Sequence, residues 1–354
     1  MTQMSMSDQP ARTKKVMDYI RSPFGLIAIF VIAFVLGRYL TITQPSQTDT
    51  SGGQNLAPLR LSGYKFISPL LLCTNPTTKK DFTEYTPLEQ KLSDTINGLT
   101  ASKKASQISV YFRELNTGRW TGVNENDPYE PASLLKLPFL IAYYQKAETN
   151  ASILSQQLFY DGNPDRDDGQ TYRPPVLEKK KNYSVDDLLK RMIIESDNNS
   201  LYLLSKNIDL NSVTDVYSDL GVPVPSTSTQ KAFITPKIYS SFFRVLYNAS
   251  YLSRDASERA LSLLSQASFK DGLVAGVPNT VTVAHKFGER PIVSDSDPSQ
   301  LVGAELHDCG IVYYPNDPYL LCVMTHGESF DDLATSIATI SRTVYTEVDA
   351  RGGK

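Results

Sequence analysis

Apolar residues change their spacing twice along this chain, and that change limits the folds open to it. Gln107 to Arg113 alternates apolar and polar side chains, the period of a strand with one face on a core. Asn116-Thr117-Gly118 then turns the chain into a second strand, Trp120 to Val123. From Ser133 the spacing becomes helical. Leu134, Leu137, Leu140 and Ile141 make Ser133 to Lys146 a helix that is apolar nearly all round, as befits one at the centre of a domain. Ser184-Val185-Asp186-Asp187 and Thr235-Pro236 carry helix-start signatures, and Asp255 to Gln266 predicts a further helix. Alternation returns at Val281 to Phe287, then in Leu306 to Tyr314 and Tyr319 to Met324, a hairpin around the turn Pro315-Asn316-Asp317-Pro318. Two helices flank these strands: one opened by Thr86-Pro87-Leu88-Glu89, and a last one capped at Ser329 with Leu333, Ile337, Ile340 and Val344 on one face. Strands that open and close a domain around a helical block predict an α+β architecture. The expected form is an antiparallel sheet flanked by helices, with an inserted all-helical lobe and a cleft between the two.

Ahead of this region lies a different kind of segment. Phe24 to Leu36 is continuously apolar, and the apolar character resumes at Tyr39, Leu40 and Ile42. As a helix, residues 24–42 would span roughly 28 Å, about one hydrocarbon thickness. Arg12, Lys14, Lys15 and Arg21 precede it, which by the positive-inside rule leaves the N-terminus in the cytoplasm. An Ala-x-Ala cleavage pattern is missing, which favours an uncleaved anchor over a signal peptide. The expected organisation is a cytoplasmic segment at 1–22, a transmembrane anchor at 23–42, an extracytoplasmic linker and extended segment at 43–84, and a catalytic domain at 85–350.

The formal charge of −3 gives no footprint for nucleic acid. His285, His307 and His326 lack zinc-ligand spacing, no G-x-S-x-G elbow supports a Ser-His-Asp triad, and no metal or cofactor is expected. Three cysteines are too few for a disulfide framework. With the turn placed at 315–318, Ile311 sits opposite Cys322, so Cys309 and Cys322 are expected as unbridged diagonal neighbours in the core.

The chemistry concentrates in three short motifs. Ser133-Leu134-Leu135-Lys136 sets a hydroxyl and an amine one helical turn apart. A serine needs a base to become a nucleophile, and a lysine desolvated among apolar neighbours can be that base. Ser196-Asp197-Asn198 follows a helix, and Lys286-Phe287-Gly288 ends a strand. The second serine can relay a proton to a leaving nitrogen, the asparagine can hold an amide and the second lysine can attract a carboxylate. S-x-x-K, S-D-N and K-x-G in this order, on these elements, resemble the signature of the class A β-lactamase branch of the penicillin-recognising serine enzymes. The resemblance covers roughly Thr86 to Val348 and includes Glu130-Pro131-Ala132-Ser133 and Phe233-Ile234-Thr235-Pro236. It implies a β-lactamase/transpeptidase-like fold with Ser133 as acylated nucleophile, Lys136 as its base or relay and Ser196 as proton shuttle. Asp197, Asn198, Lys286 and Gly288 would be substrate-binding, with Lys286 the carboxylate anchor. The backbone N–H groups of Ser133 and Glu289 would form an oxyanion hole.

The chain departs from the family pattern in two places. Phe287 stands where the family has Thr or Ser. The stretch Gly221 to Gln230, where the family carries a glutamate that activates the deacylating water, has no acidic residue, and no glutamate occurs between Glu195 and Glu258. Glu195 and Glu289 are candidate replacements, and Asp219 is expected to be a helix-end residue. Three functions follow: a β-lactamase-type hydrolase acylated by β-lactams, a D-alanyl peptidase or transpeptidase acting on cell wall, or a non-catalytic tethered wall- or β-lactam-binding module.

Overall fold

The computed structural model describes residues 59–72, 86–225, 231–294, 296–297 and 300–352. The expected anchor lies outside these residues, and no helix among them is long and apolar enough to cross a membrane. In chain order, β1 (Leu59–Arg60) and β2 (Leu70–Leu72) form a small antiparallel pair. The expected linker includes this stretch, yet part of it is docked on the domain. Phe66 and Ile67 are buried, and the Glu258 carboxylate accepts the N–H groups of Lys65, Phe66 and Ile67.

α1 (Thr86–Ala101) buries Leu88, Leu92 and Ile96. β3 (Gln107–Glu114) and β4 (Trp120–Val123) make the expected hairpin. After the 3-10 turn Ala132–Leu135 come α2 (Lys136–Thr149), β5 (Gln157–Tyr160) and β6 (Lys181–Ser184). Four helices follow: α3 (Val185–Ile194), α4 (Asn198–Asn207), α5 (Leu210–Asp219) and α6 (Pro236–Tyr247). α7 (Arg254–Leu264), β7 (Val283–Val293), β8 (Leu301–Val312), β9 (Tyr319–Gly327) and α8 (Phe330–Gly352) complete the domain. The five-stranded sheet runs β4-β3-β9-β8-β7, antiparallel throughout.

Period-2 alternation gives the sheet two apolar faces. One face, with Val110, Phe112, Leu321 and Val323, packs with Leu88 and Leu92 of α1 and Leu333, Ile337 and Ile340 of α8. The other, with Tyr111, Ala284, Cys309, Cys322 and Met324, joins the core of the helical lobe, where Leu137, Leu140, Leu188, Met192, Phe242 and Phe243 are fully buried. Cap chemistry is as the sequence implies: Ser184 accepts the Asp187 N–H and Thr235 accepts the Ile238 N–H.

β7 runs beyond its expected end, past Gly288 and Pro291, and β8 begins at Leu301, ahead of its expected start at Leu306. β7 is an edge strand, where a missing N–H is tolerated, and its pairing with β8 continues to Val293. The β8–β9 register corrects the cysteine expectation. The turn is Tyr314–Asp317, closed by the Asp317 N–H on the Tyr314 carbonyl at 3.1 Å, with Asn316 at φ 63°. Pro315 thus takes the second turn position and Asn316 the left-handed third one, one residue earlier than expected. The register shifts accordingly, so Cys309 lies directly opposite Cys322 and the two form a buried disulfide.

Candidate active site

Ser133 is presented on a 3-10 turn, while the α-helix proper starts at Lys136. The expectation of a helix beginning at Ser133 overlooked Pro138. Without an N–H, Pro138 cannot close a helical bond onto the Leu134 carbonyl, which instead accepts the Tyr239 hydroxyl at 3.0 Å. Pro138 is tolerated because it falls in the first turn of α2. Ala132, at φ 47°, bends the chain into this turn. From the sheet side Gly288 abuts it: a Cβ there would lie 3.0 Å from the Pro131 carbonyl oxygen and 3.2 Å from the Leu134 nitrogen. A side chain there would press on that backbone, and the close approach brings the β7 backbone at Glu289 beside the Ser133 turn.

Lys136 is the hub. Its Nζ lies 2.9 Å from Ser133 Oγ, 3.0 Å from Ser196 Oγ and 2.7 Å from Asn198 Oδ1, and it also donates to the Ser196 carbonyl. The side chain is completely buried. Burial pushes the ammonium down to about 7, against the opposing pull of the Asp167, Asp197 and Glu289 carboxylates. Lys286, also fully buried, donates to Ser196 Oγ at 2.9 Å and to the Phe287 carbonyl at 2.7 Å. Burial first, and then the neighbouring Lys136, hold Lys286 well below the ordinary lysine range. Ser133, Lys136, Ser196 and Lys286 therefore form one continuous hydrogen-bonded chain.

The second motif is aimed by its backbone. Ser196 sits at φ 56° between α3 and α4, which turns its hydroxyl towards the two lysines. Asp197 was expected among substrate-binding groups, but its carboxylate is buried and caps α4 through the Ser200 N–H at 2.8 Å. Burial raises its carboxyl to about 6. Asn198 has Oδ1 on Lys136, and Nδ2 donates to the Arg166 carbonyl at 3.2 Å. The Glu289 carboxylate is committed as well, accepting the N–H groups of Thr171 and Tyr172 at 3.0 Å each. Asp219 ends α5 as expected and accepts the Tyr251 hydroxyl at 2.7 Å. Phe287 is buried, stacked on Phe269 at 4.5 Å and edge-on to Tyr172.

Asp167 was not anticipated. It is almost fully buried, its Oδ1 accepts the Asn198 N–H at 2.7 Å and its Oδ2 accepts the Asn199 side chain. The signal in the sequence was the acidic run Asp165-Arg166-Asp167-Asp168 inside a Gly- and Pro-bearing loop, which matches no motif. A cavity of about 500 Å³ is lined by Tyr172, Asp271, Asp331 and Arg342, and no motif residue lines it. Among the described residues no group of three or more His, Cys, Asp or Glu side chains is placed to hold a metal ion.

Comparison with solved structures finds this fold in related chains. A mutant of PBP-A, solved as an acyl-enzyme complex with penicillin G, is 19% identical with a TM-score of 0.61, covering 74% of this chain and 97% of its own. The β-lactamase from Sphaerobacter thermophilus DSM 20745 is 18% identical with a TM-score of 0.61, covering 74% and 98%. A class A β-lactamase representative from Bacteroides cellulosilyticus DSM 14838 is 21% identical with a TM-score of 0.62, again over 74% and 98%. No curated protein matches the chain. These likenesses establish a β-lactamase/transpeptidase-like fold. The model of the β-lactamase enzyme family matches residues 88–348, the sheet, the helical lobe and all three motifs included, and the chain belongs to that family.

Proposed function

We propose that this protein is a serine acyl-enzyme of β-lactamase type, acylated by β-lactams on Ser133. The observation that carries the reading is the 2.9 Å contact between Lys136 Nζ and Ser133 Oγ. A neutral amine has two hydrogens, and the Ser196 carbonyl and Asn198 Oδ1 accept both, so the lone pair is left for the Ser133 hydroxyl proton. Lys136 takes that proton as Ser133 Oγ attacks the lactam carbonyl. The oxyanion forms between the backbone N–H groups of Ser133 and Glu289. As the C–N bond breaks, Ser196 gives its proton to the ring nitrogen and is reprotonated by Lys136 across 3.0 Å, which returns the amine to its neutral form. Lys286 attracts the substrate carboxylate, assisted by Asn198 on the substrate amide.

Deacylation is the slow step in this reading. Gly221 to Gln230 offers no carboxylate to activate water, and both oxygens of Glu289 are engaged by Thr171 and Tyr172. Loss of a general base costs on the order of 10²–10⁴ in rate. The same chemistry suits a D-alanyl peptide, and the missing loop glutamate is no handicap to that alternative. The catalytic region is proposed to lie outside the cytoplasm behind an anchor at 23–42. The disulfide supports this, since such bonds persist in oxidising compartments.

Mass spectrometry of the full chain in detergent, followed over time after mixing with penicillins or with a D-alanyl-D-alanine peptide, tests these readings. A stoichiometric adduct on Ser133 that decays slowly is expected with β-lactam. Rapid hydrolysis with no trapped adduct would overturn slow deacylation, and an adduct with the peptide alone would favour the wall enzyme.

A further inference from the structure

Arg119, Arg173 and Arg290 each pair with a carboxylate, at 3.0, 2.7 and 2.7 Å. Arg113 and Arg244 do not. Arg113 lies on β3 and Arg244 on α6, which packs against that strand, and both side chains are half-buried. Among the described residues Arg113 Nη1 bonds the Tyr111 hydroxyl, at 3.4 Å, and the Arg244 guanidinium has no hydrogen-bond or ion-pair partner. Glu114, next to Arg113 in sequence, points to the other face of the sheet and accepts from Thr117 and Arg119. Burial first, and then the charge of Arg113, hold Arg244 below the ordinary arginine range. Two like charges kept together away from water, with no counter-charge, oppose folding until an anion joins them.

The surroundings of the pair are those of a receptor for such an anion. Tyr111 is 2% exposed, and its hydroxyl accepts from Arg113 while its own hydrogen has no acceptor among the described residues. Its ring lies 5.6 Å from that of Trp120, and Lys237 Nζ stands 4.0 Å over the Trp120 ring and 3.9 Å from Glu125. Gly118, at φ 78°, leaves room for the Arg113 guanidinium: a Cβ there would lie 3.0 Å from Nη2. We infer that Arg113, Arg244 and the Tyr111 hydroxyl form a binding site for a phosphate group, bordered by Trp120. A phosphate dianion neutralises both guanidinium groups and offers oxygens to the fork of each, whereas a carboxylate carries one charge and engages one fork. The site lies where the docked stretch meets the domain. Arg60 donates to the Leu115 carbonyl, two residues past Arg113, and to the Asn248 side chain, one turn past Arg244. Two sources carry the group: inorganic phosphate, and the headgroups of the membrane that holds the proposed anchor. The inference is independent of the chemistry at Ser133.

Trp120 is the only tryptophan of the chain, so its fluorescence reads the site. The full chain in detergent is titrated with inorganic phosphate at mildly alkaline pH and constant ionic strength, beside acetate and chloride. Phosphate should give a saturable change and raise the thermal midpoint by mass action. Acetate should bind at least about tenfold more weakly, and chloride should give no saturable change. Arg113→Gln and Arg244→Gln should each weaken phosphate binding at least about tenfold and lose its effect on the midpoint. Without phosphate, Arg244→Gln should unfold at or above the native midpoint because a repulsion is removed, whereas a structural guanidinium would leave a lower one. Calorimetric titration repeats the measurement without the tryptophan. No saturable phosphate binding by either method overturns the site, as does unchanged affinity in the two variants or acetate binding as tightly as phosphate. Nanodiscs then separate the sources. If headgroups fill the site, added phosphate no longer titrates Trp120 in phosphatidylglycerol discs; if the ligand is free phosphate, it titrates equally in phosphatidylglycerol and phosphatidylcholine discs. Either result supports the site and names its occupant.

Discussion

Lys136 is the proposed base, and its charge follows from its surroundings. Among the described residues no carboxylate bonds its Nζ, and burial lowers its pKa to about 7. In the proposed mechanism the base is the neutral amine. Below that pH it is protonated and holds no lone pair, so the acylation rate constant should fall about tenfold per pH unit on the acid side and level off above it. Stopped-flow acylation between pH 5 and 9 checks this, and a flat profile would assign the base elsewhere. Ser133→Ala should abolish covalent labelling by β-lactam. Lys136→Ala should slow it by on the order of 10²–10⁴, and the double variant should be no worse than Ser133→Ala, since the two act as a unit. Full labelling of Ser133→Ala would remove the nucleophile. The motif residues were legible because three short motifs occur in one order on the expected elements, the first with hydroxyl and amine one turn apart. Asp167 was not, because its importance exists only where its loop meets Asn198 and Asn199.

Among the elements, those whose ends are set by local chemistry matched the sequence best. The caps at Ser184 and Thr235 act within their own first turns, so three or four residues determine them. The Ser133 turn and the β8–β9 register were misplaced because each hinges on which turn position a single proline takes. β5 and β6 left no readable pattern, since only Tyr160 and Tyr183 are buried in them. The fit between the Ser133 turn and β7 offers a test at this scale. Gly288→Ala would force a methyl group against Pro131 and Leu134, separating the turn from the strand proposed to supply the second oxyanion donor. Acylation should slow on the order of tenfold, short of the 10²–10³ for losing a donor outright. Acylation kinetics and thermal unfolding, measured together, separate this from general destabilisation; unchanged kinetics would show that the turn and β7 do not need this contact.

For the whole molecule, one compact unit extends from Ala57 to Lys354, so the docked stretch at 59–72 belongs to the domain. Glu258 holds that stretch through three backbone N–H groups, which leaves a shorter tether than 43–84 between the proposed anchor and the catalytic region. Protease added outside intact cells should release the region that follows residue 57 while sparing a membrane stub. Protection until the membrane is opened would refute the orientation. The division into sheet and lobe was readable because the change in apolar period persists over long segments. The placement of the loop between β5 and β6 was not, because its polar residues take partners from elements distant in sequence.

Two buried amines that share the single hydroxyl of Ser196 cannot both be charged cheaply, and this has a consequence for binding. An incoming carboxylate beside Lys286 supplies the counter-charge that this amine lacks, and so restores its affinity for hydrogen ions. Ligand capture should therefore draw a proton from solution wherever that amine is uncharged in the free protein. Calorimetric titration of Ser133→Ala with benzylpenicillin, in buffers of different ionisation enthalpy, should give heats whose slope corresponds to uptake of up to about one proton. Heats independent of the buffer would mean that the anion enters a site already charged.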